Sequence, residues 1–418
     1  MFEFSKNAQN DYQKNKLIKL CYKNKKYIFQ NTITFKRVIF ALFSAGLSTF
    51  SILYCVQPIL PTFSSEFHLS PAQSSLSLSV ATASMAIGML FTGSLSDTFG
   101  RKIVMSISLL LATFLTILCS FMNTWIEIIF LRTLTGLTLS GVAAVAMTYL
   151  SEEIHPKVIP FAIGLYISGN TIGGFSGRFL SSVLVNYCTW SRSLFIIGLL
   201  SLTGSLLFLL LLPQSNNFQG ISLNPRKIFH SFVLQCKDRV LPILFFIGFI
   251  LMGSFVTLFN YVGYRLMIPP FSLNQMIIGL LSIVYLTGAY SSPKASEFII
   301  KYGRKNVLIY SLLIMIIGIV FTQLDFLILI IFGLMMFSTG FFSAHSVSSS
   351  WVGHRATIAK GQASSLYLCC YYLGSSILGT FGGIFWSLGN WMGISIFIIS
   401  LLLIGIRMIS KLNQKNCN

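Results

Sequence analysis

Twelve apolar runs recur along this chain, and that recurrence leaves very few folds open. They occupy residues 38–60, 75–95, 103–122, 125–150, 159–185, 194–212, 241–263, 276–290, 307–324, 326–346, 363–386 and 391–409. A hydrocarbon core about 30 Å thick takes roughly 20 apolar residues of helix to cross. The runs are continuous, whereas a membrane barrel would show alternating segments of about ten residues. Inside lipid no third solution satisfies the backbone. The expectation is therefore an all-α membrane protein with twelve transmembrane helices. Composition agrees, since 9% of residues are charged and 54% hydrophobic, against about 25% charged in a soluble chain.

Sorting Lys and Arg by alternate loops puts 25 of the 29 on one side, both termini included. The positive-inside rule makes that side the cytoplasm. The net charge of +19 is then a consequence of topology, and nucleic-acid binding is not needed to explain it. The first run sits behind a polar leader, exceeds a signal-peptide core and lacks a small-x-small cleavage site, so it reads as a retained first helix. In that leader Lys14, Lys16, Lys19, Lys23, Lys25 and Lys26 alternate with Leu17, Ile18, Leu20 and Tyr22. Such a segment suits the anionic lipid of the cytoplasmic leaflet, at about 1 kcal/mol per Lys near the surface. A plain basic tail that only fixes topology is the other reading. The 8 cysteines show neither CxxC spacing nor ligand clustering, and they read as bulk apolar residues rather than metal ligands.

The chain also repeats itself. Phe99-Gly100-Arg101-Lys102 follows the second run and Tyr302-Gly303-Arg304-Lys305 the eighth, 203 residues later. Tyr166, Gly169, Ile172, Gly174 and Gly177 in run five recur as Tyr371, Gly374, Ile377, Gly379 and Gly382 in run eleven, each 205 residues on. Six spans separate the copies, so the repeats are parallel and related by an axis along the membrane normal. The expected organisation is a basic tail (1–37), a first six-helix half (38–213), a basic linker containing Pro225 (214–240), a second six-helix half (241–410) and a short tail (411–418).

Between runs two and three stands Gly93-Ser94-Leu95-Ser96-Asp97-Thr98-Phe99-Gly100-Arg101-Lys102, which resembles the G-x-x-x-D-x-x-G-R-K signature of the major facilitator superfamily. Physically, Gly93 admits another helix, Gly100 permits a tight turn, and Asp97 can meet both Arg101 and a helix N-terminus. The resemblance implies a conformational latch between halves on the cytoplasmic side, formed by Gly93, Asp97, Gly100, Arg101 and Lys102. Gly303, Arg304 and Lys305 form the second copy, where Ile300 replaces the acid.

Arg132 lies about 10 Å into run four at 1.5 Å per residue. A guanidinium there costs on the order of 3 kcal/mol and must face the bundle or a wet cavity. Arg132-Thr133-Leu134-Thr135-Gly136 is similar to the family motif R-x-x-x-G, which implies a coupling or substrate role, while hydrogen bonding to carbonyls is the structural alternative. Arg178, near the end of run five, reads as snorkelling to the interface. Gly169-Asn170-Thr171-Ile172-Gly173-Gly174 is similar to the family's antiporter motif G-P-x-x-G-G, with Asn170 in place of proline, and its glycines form a ridge for close helix packing.

All 10 acids fall in loops, tails or span ends, which leaves the proton carrier open. His345 titrates near neutrality in water, and Glu127 is the further candidate. The cavity or helix-packing candidates are Gln57, Tyr166, Gly169, Asn170, Gly173, Gly174, Asn260, Tyr261, Tyr285, Tyr371, Gly374 and Ser375. The resemblance implies a permease of a bacterial inner (plasma) membrane, with no cofactor beyond the proton gradient as driving force. Its expected partners are the bilayer and a small organic substrate, with no obligate protein partner. Proton-linked export is the expected activity, with facilitated or proton-linked uptake as alternative and a non-transporting sensor or scaffold as a remote one. No span carries the paired carboxylates or nucleophile–base pair of an enzyme.

Overall fold

A computed structural model of the chain describes residues 27–218, 220, 232–356 and 360–412. The six leader lysines, Pro225 and most of the linker, and the C-terminal tail from residue 413 lie outside the described residues.

The first half holds α1 (Ile33–Tyr54), α2 (Pro71–Phe99), α3 (Arg101–Cys119), α4 (Trp125–Glu153), α5 (Ile159–Tyr187) and α6 (Trp190–Leu211). The second holds α7 (Leu241–Met267), α8 (Gln275–Tyr302), α9 (Arg304–Phe321) and α10 (Leu327–Arg355). The helical stretch Lys360–Ser410 then breaks at Gly389 and Asn390, whose backbones leave helical values. The break divides it into α11 (360–388) and α12 (391–410). Among the described residues ten segments are long and apolar enough to cross a membrane, with Gly361–Ser410 counted once. α5 is 29 residues long but stands outside that set, because its glycines and hydroxyl residues dilute its hydropathy.

Local chemistry sets the ends. Thr32 caps α1 by accepting from the Phe35 N–H at 3.1 Å, so the helix starts five residues before its apolar run and takes in Lys36 and Arg37. Ser70 and Gln73 close a capping box at α2, with Pro71 in the first turn. Pro58 and Pro61 lack an N–H, and between them α1 gives way to a single 3-10 turn at Gln57–Ile59 before the short helix Leu60–Glu66 completes the span. α8 carries a matching irregularity, since Leu281–Leu286 winds as 3-10 between two α-helical ends.

The sequence repeat is also a packing repeat. Gly169, Gly173 and Gly177 of α5 press against the backbone of Phe43, Leu47 and Ser51 in α1, where an added Cβ would come within 2.7, 2.4 and 2.6 Å of it. In the second half a Cβ on Gly374 of α11 would stand 2.0 Å from the Phe249 backbone of α7, and one on Gly382 2.5 Å from the Thr257 side chain. A hydrogen bond recurs with them. The Ser51 hydroxyl donates to the Gly173 carbonyl at 3.0 Å and the Thr257 hydroxyl to the Leu378 carbonyl at 3.0 Å. Small residues at these crossings let backbones approach closely.

The two halves meet away from the Gly-Arg-Lys loops. The Tyr264 hydroxyl bonds to Ser64 and Ser74, each at 2.8 Å, and Thr380 bonds to Ser79 at 2.7 Å. Ser182 donates to the Gln275 carbonyl, and the Gln275 amide reaches the Pro58 carbonyl. Gly383 and Gly279 pack so tightly on Ala72 and Ser182 that a Cβ would fall 2.4 and 2.3 Å from them. At the loop end the packing is different. Gly93, Gly164, Gly353 and Gly361 have no described residue within 4 Å of an added Cβ. One end of the interface is sealed, and at the other these helix faces stand uncovered by any described residue.

Candidate functional site

The break in α1 and the 3-10 stretch in α8 face one another across α5 and α7, and a polar chain runs between them. Arg178 of α5, 5% exposed, donates through Nε to Gln57 Oε1 at 2.6 Å and through Nη1 to the Gly174 carbonyl at 2.7 Å. Gln57 Nε2 in turn donates to Asn260 Oδ1 at 2.7 Å. The guanidinium lies over two rings, Tyr54 at 3.9 Å and Tyr285 at 4.6 Å. Both halves of the repeat contribute to this cluster. Beside it is a cavity of about 40 Å³, room for a water molecule.

This corrects the expectation that Arg178 snorkels to the interface. Position along a span gives depth but not facing, and here the helix turns Arg178 toward the α1 break. Gly174, one turn earlier, leaves the space, since a Cβ there would stand 3.2 Å from Arg178 Nη1. Stacking on two aromatic faces supplies cation–π stabilisation.

Arg132 has a different environment. It is 1% exposed and spends all three of its nitrogens on carbonyls, Nε to Ser77 at 3.0 Å, Nη1 to Ile52 at 3.0 Å and Nη2 to Leu53 at 2.9 Å. Ile52 and Leu53 close the last turn of α1, where carbonyls lose their intrahelical partners and the helix dipole favours a cation. Of the two roles weighed for Arg132, the geometry matches the structural one.

His345 of α10 bonds through Nδ1 to the Tyr367 hydroxyl at 2.9 Å. Its ring lies 4.5 Å from that of Tyr371 and 6.2 Å from that of Phe341. Glu127 is elsewhere. It is exposed and closes the capping box of α4, accepting from the Thr124 N–H at 3.2 Å while its own N–H reaches Thr124 Oγ1 at 3.4 Å. The coupling candidate Glu127 is therefore corrected to a helix cap. The Thr-x-x-Glu spacing that signals such a cap is already present in the sequence at Thr124 and Glu127.

In the Gly-Arg-Lys loop Gly100 takes φ +99°, which a side chain would strain. Arg101 pairs with Asp97 and grips Glu152 with two bonds of 2.7 and 3.1 Å, while Lys102 donates to the Leu212 carbonyl. All of these described contacts of Asp97, Arg101 and Lys102 stay within the first half and the stretch of chain that leaves it. Among the described residues the expected clasp between halves, with Gly93 against another helix, is not made in this conformation. Glu152 is the member that sequence reasoning missed. In the second copy Gly303 takes φ +78°, Arg304 opens α9, and Lys305 donates to the Ser410 and Leu412 carbonyls at 2.7 and 2.6 Å.

Asp97→Asn removes one of two acids from Arg101 and leaves Glu152 in place. With Asp97 39% exposed, the stability loss is about 1 kcal/mol or less. Membrane abundance is expected to stay near normal while the rate of conformational cycling falls severalfold, read as initial flux per inserted molecule. Unchanged flux would dissolve the latch.

Other candidates are packing residues. Tyr166 is 2% exposed in the core beside Leu42 and Ala45, and Asn170 fills the notch at Gly46, where a Cβ would lie 2.2 Å from its Oδ1. The Tyr261 hydroxyl donates to the Gly379 carbonyl at 2.9 Å, tying α7 to α11. Ser375 is fully buried.

Known proteins align with this architecture. The family model of the Major Facilitator Superfamily matches residues 38–292. Uncharacterized transporter BU588 of Buchnera aphidicola subsp. Acyrthosiphon pisum (strain APS) is 61% identical over 392 residues, covering 94% of this chain and 96% of its own. Inner membrane transport protein YnfM of Escherichia coli (strain K12) is 54% identical over 389 residues, 93% of each chain. Among solved structures a mutant of the nucleoside transporter NupG superposes with a TM-score of 0.73 at 16% identity, covering 89% of this chain and 99% of that one, which shows a common fold. With matches of that extent, this multi-pass inner-membrane chain belongs to the Major Facilitator Superfamily of transporters.

Proposed function

We propose that the chain is a twelve-span secondary transporter which moves a small organic solute by alternating access, with proton-linked export as the direction. The observation that carries this is the unequal packing of the two halves. They are joined by hydrogen bonds and glycine contacts at one end and uncovered at Gly93, Gly164, Gly353 and Gly361 at the other. Two rigid halves that close at alternate ends expose a central site to each side in turn. The Lys and Arg bias assigns the uncovered end and both termini to the cytoplasm, so this conformation is the inward-facing one. Basic residues of the leader would then lie against anionic lipid.

His345 is the proton-carrying candidate, because its imidazole lies within α10 of the second half and its Nδ1 is held on the Tyr367 hydroxyl. A second reading is facilitated or proton-linked uptake of a metabolite. It is favoured by the central cluster of Arg178, Gln57, Asn260, Tyr54 and Tyr285, which supplies no carboxylate.

Flux into proteoliposomes of purified protein, with and without an imposed proton gradient, tests the proposal. Gradient-driven accumulation of a labelled solute is the expected result. Equilibration that ignores the gradient favours the facilitator, and a folded, inserted protein that moves no solute sinks the transporter reading.

A further inference from the structure

Arg178 has no counterpart in the repeat. Displaced by the 205 residues that relate α5 to α11, its place is taken by Gly383, which packs on the backbone of Ala72. The fold closes at that position with a glycine, so architecture alone does not call for a guanidinium there. Burying one is costly unless it is paired. Yet the described partners of Arg178 are a glutamine oxygen, a carbonyl and two aromatic rings, all of them uncharged.

The groups around it also have hydrogen-bonding capacity left over. Asn260 Nδ2 and Tyr285 Oη are buried and carry no hydrogen-bond partner among the described residues, in side chains only 2% and 4% exposed. Both residues line the same small cavity as Arg178 and Gln57. Buried polar atoms are rarely left unsatisfied, and each such atom costs about 1–3 kcal/mol. An amide NH₂ donates, and a phenol hydroxyl turns to donate where an acceptor is offered. Beside them Arg178 offers further N–H groups beyond the two it has spent. Donors converging next to an uncompensated positive charge recognise a carboxylate. The rest of the lining is largely apolar, with Phe259, Val262, Ile278 and Leu281, and Phe259 meets the Tyr285 ring at 4.6 Å.

We propose that Arg178, Asn260 and Tyr285 form a carboxylate-binding site between the two halves, that the cavity of about 40 Å³ takes the carboxylate group alone, and that the transported solute is a small organic monoanion whose body is seated as the halves part. The proposal deepens the transporter reading and rests on it. Because Arg178 and Gln57 come from one half and Asn260 and Tyr285 from the other, an anion held here bears on both bodies as they rock.

The test uses three probes of one shape, namely benzoate, benzamide and benzylammonium, measured as thermal stabilisation of the purified full-length protein and as competition with flux. Benzoate is expected to stabilise the protein at least tenfold more potently than benzamide, with benzylammonium inert. Asn260→Asp puts a carboxylate on the wall of the cavity that Arg178 lines and is expected to abolish the benzoate response. Arg178→Lys is expected to keep a weakened response and Arg178→Gln to lose it, seen as a raised KM ahead of any fall in kcat. Equal responses to the three probes, no response to benzoate, or a benzoate response that survives Asn260→Asp would overturn the site. Saturable flux of any solute by the wild type keeps the transporter reading whichever way the anion test falls, so the two failures are separable.

Discussion

Arg132→Ala is expected to strip the protein from the membrane rather than to uncouple it. The side chain donates to Ser77, Ile52 and Leu53 at 2.9–3.0 Å, and hydrogen bonds to a charged group contribute about 1.5–3 kcal/mol each. Truncation leaves three buried carbonyls without their donor and a void where the guanidinium lay. The loss is on the order of 5 kcal/mol, a large share of the roughly 5–15 kcal/mol that holds a folded domain together. Folded protein should fall at least tenfold, and Arg132→Lys should recover part of it, since an ammonium reaches fewer of three diverging acceptors. Size-exclusion profiles and thermal melts of detergent-solubilised protein read this directly. A role in coupling predicts the opposite pattern, in which abundance and melting stay normal and only gradient-driven flux disappears. That pattern would remove the structural account of Arg132.

Arg132 and Arg178 also mark how far the sequence could be read. The membrane-spanning helices and the glycine ridges of α5 and α11 were legible, because each rests on a one-dimensional signal, run length or glycines repeating at 205 residues, whereas the helices those ridges meet, α1 and α7, were not. Facing around a helix is not one-dimensional in the same way. Both arginines sit within spans, but α4 turns Arg132 onto the frayed end of α1 while α5 turns Arg178 into the gap between halves. The prolines at 58 and 61 could have signalled that end, since they predict a broken helix with free carbonyls nearby. Glu152 escaped notice because its distance in sequence from Arg101 hides a bidentate contact made only after α3 and α4 pack. Gln57, Asn260 and Tyr285 are polar groups within spans, and the structure brings these three together, whereas Tyr166 and Tyr261 spend themselves on helix packing. Polarity in a span identifies a group that needs a partner, and tertiary structure decides whether the partner is protein.

Conformational choice should be separable from folding by a pair of glycine substitutions at opposite ends of the interface. Gly383→Leu places a side chain against the Ala72 backbone, where a Cβ alone would sit 2.4 Å away. Backbone cannot yield as a flexible side chain does, so overpacking of about 3 kcal/mol falls only on the state in which this end is sealed. At about 1.4 kcal/mol per tenfold that shifts the balance toward the opposite state by roughly 100-fold. Gly93→Leu meets open space in the present conformation and costs nothing until the loop end closes, when it should block α2 from approaching the other half. Both variants are expected to insert and melt near the wild type while flux drops at least tenfold, for opposite reasons. Maleimide labelling of a single cysteine placed at Ser74, buried in the sealed end, distinguishes them. Labelling from outside should rise sharply in Gly383→Leu and fall below wild type in Gly93→Leu, because one variant cannot shut that end and the other cannot leave it. Parallel changes in labelling, or wild-type flux in either variant, would mean that the two ends do not close in alternation.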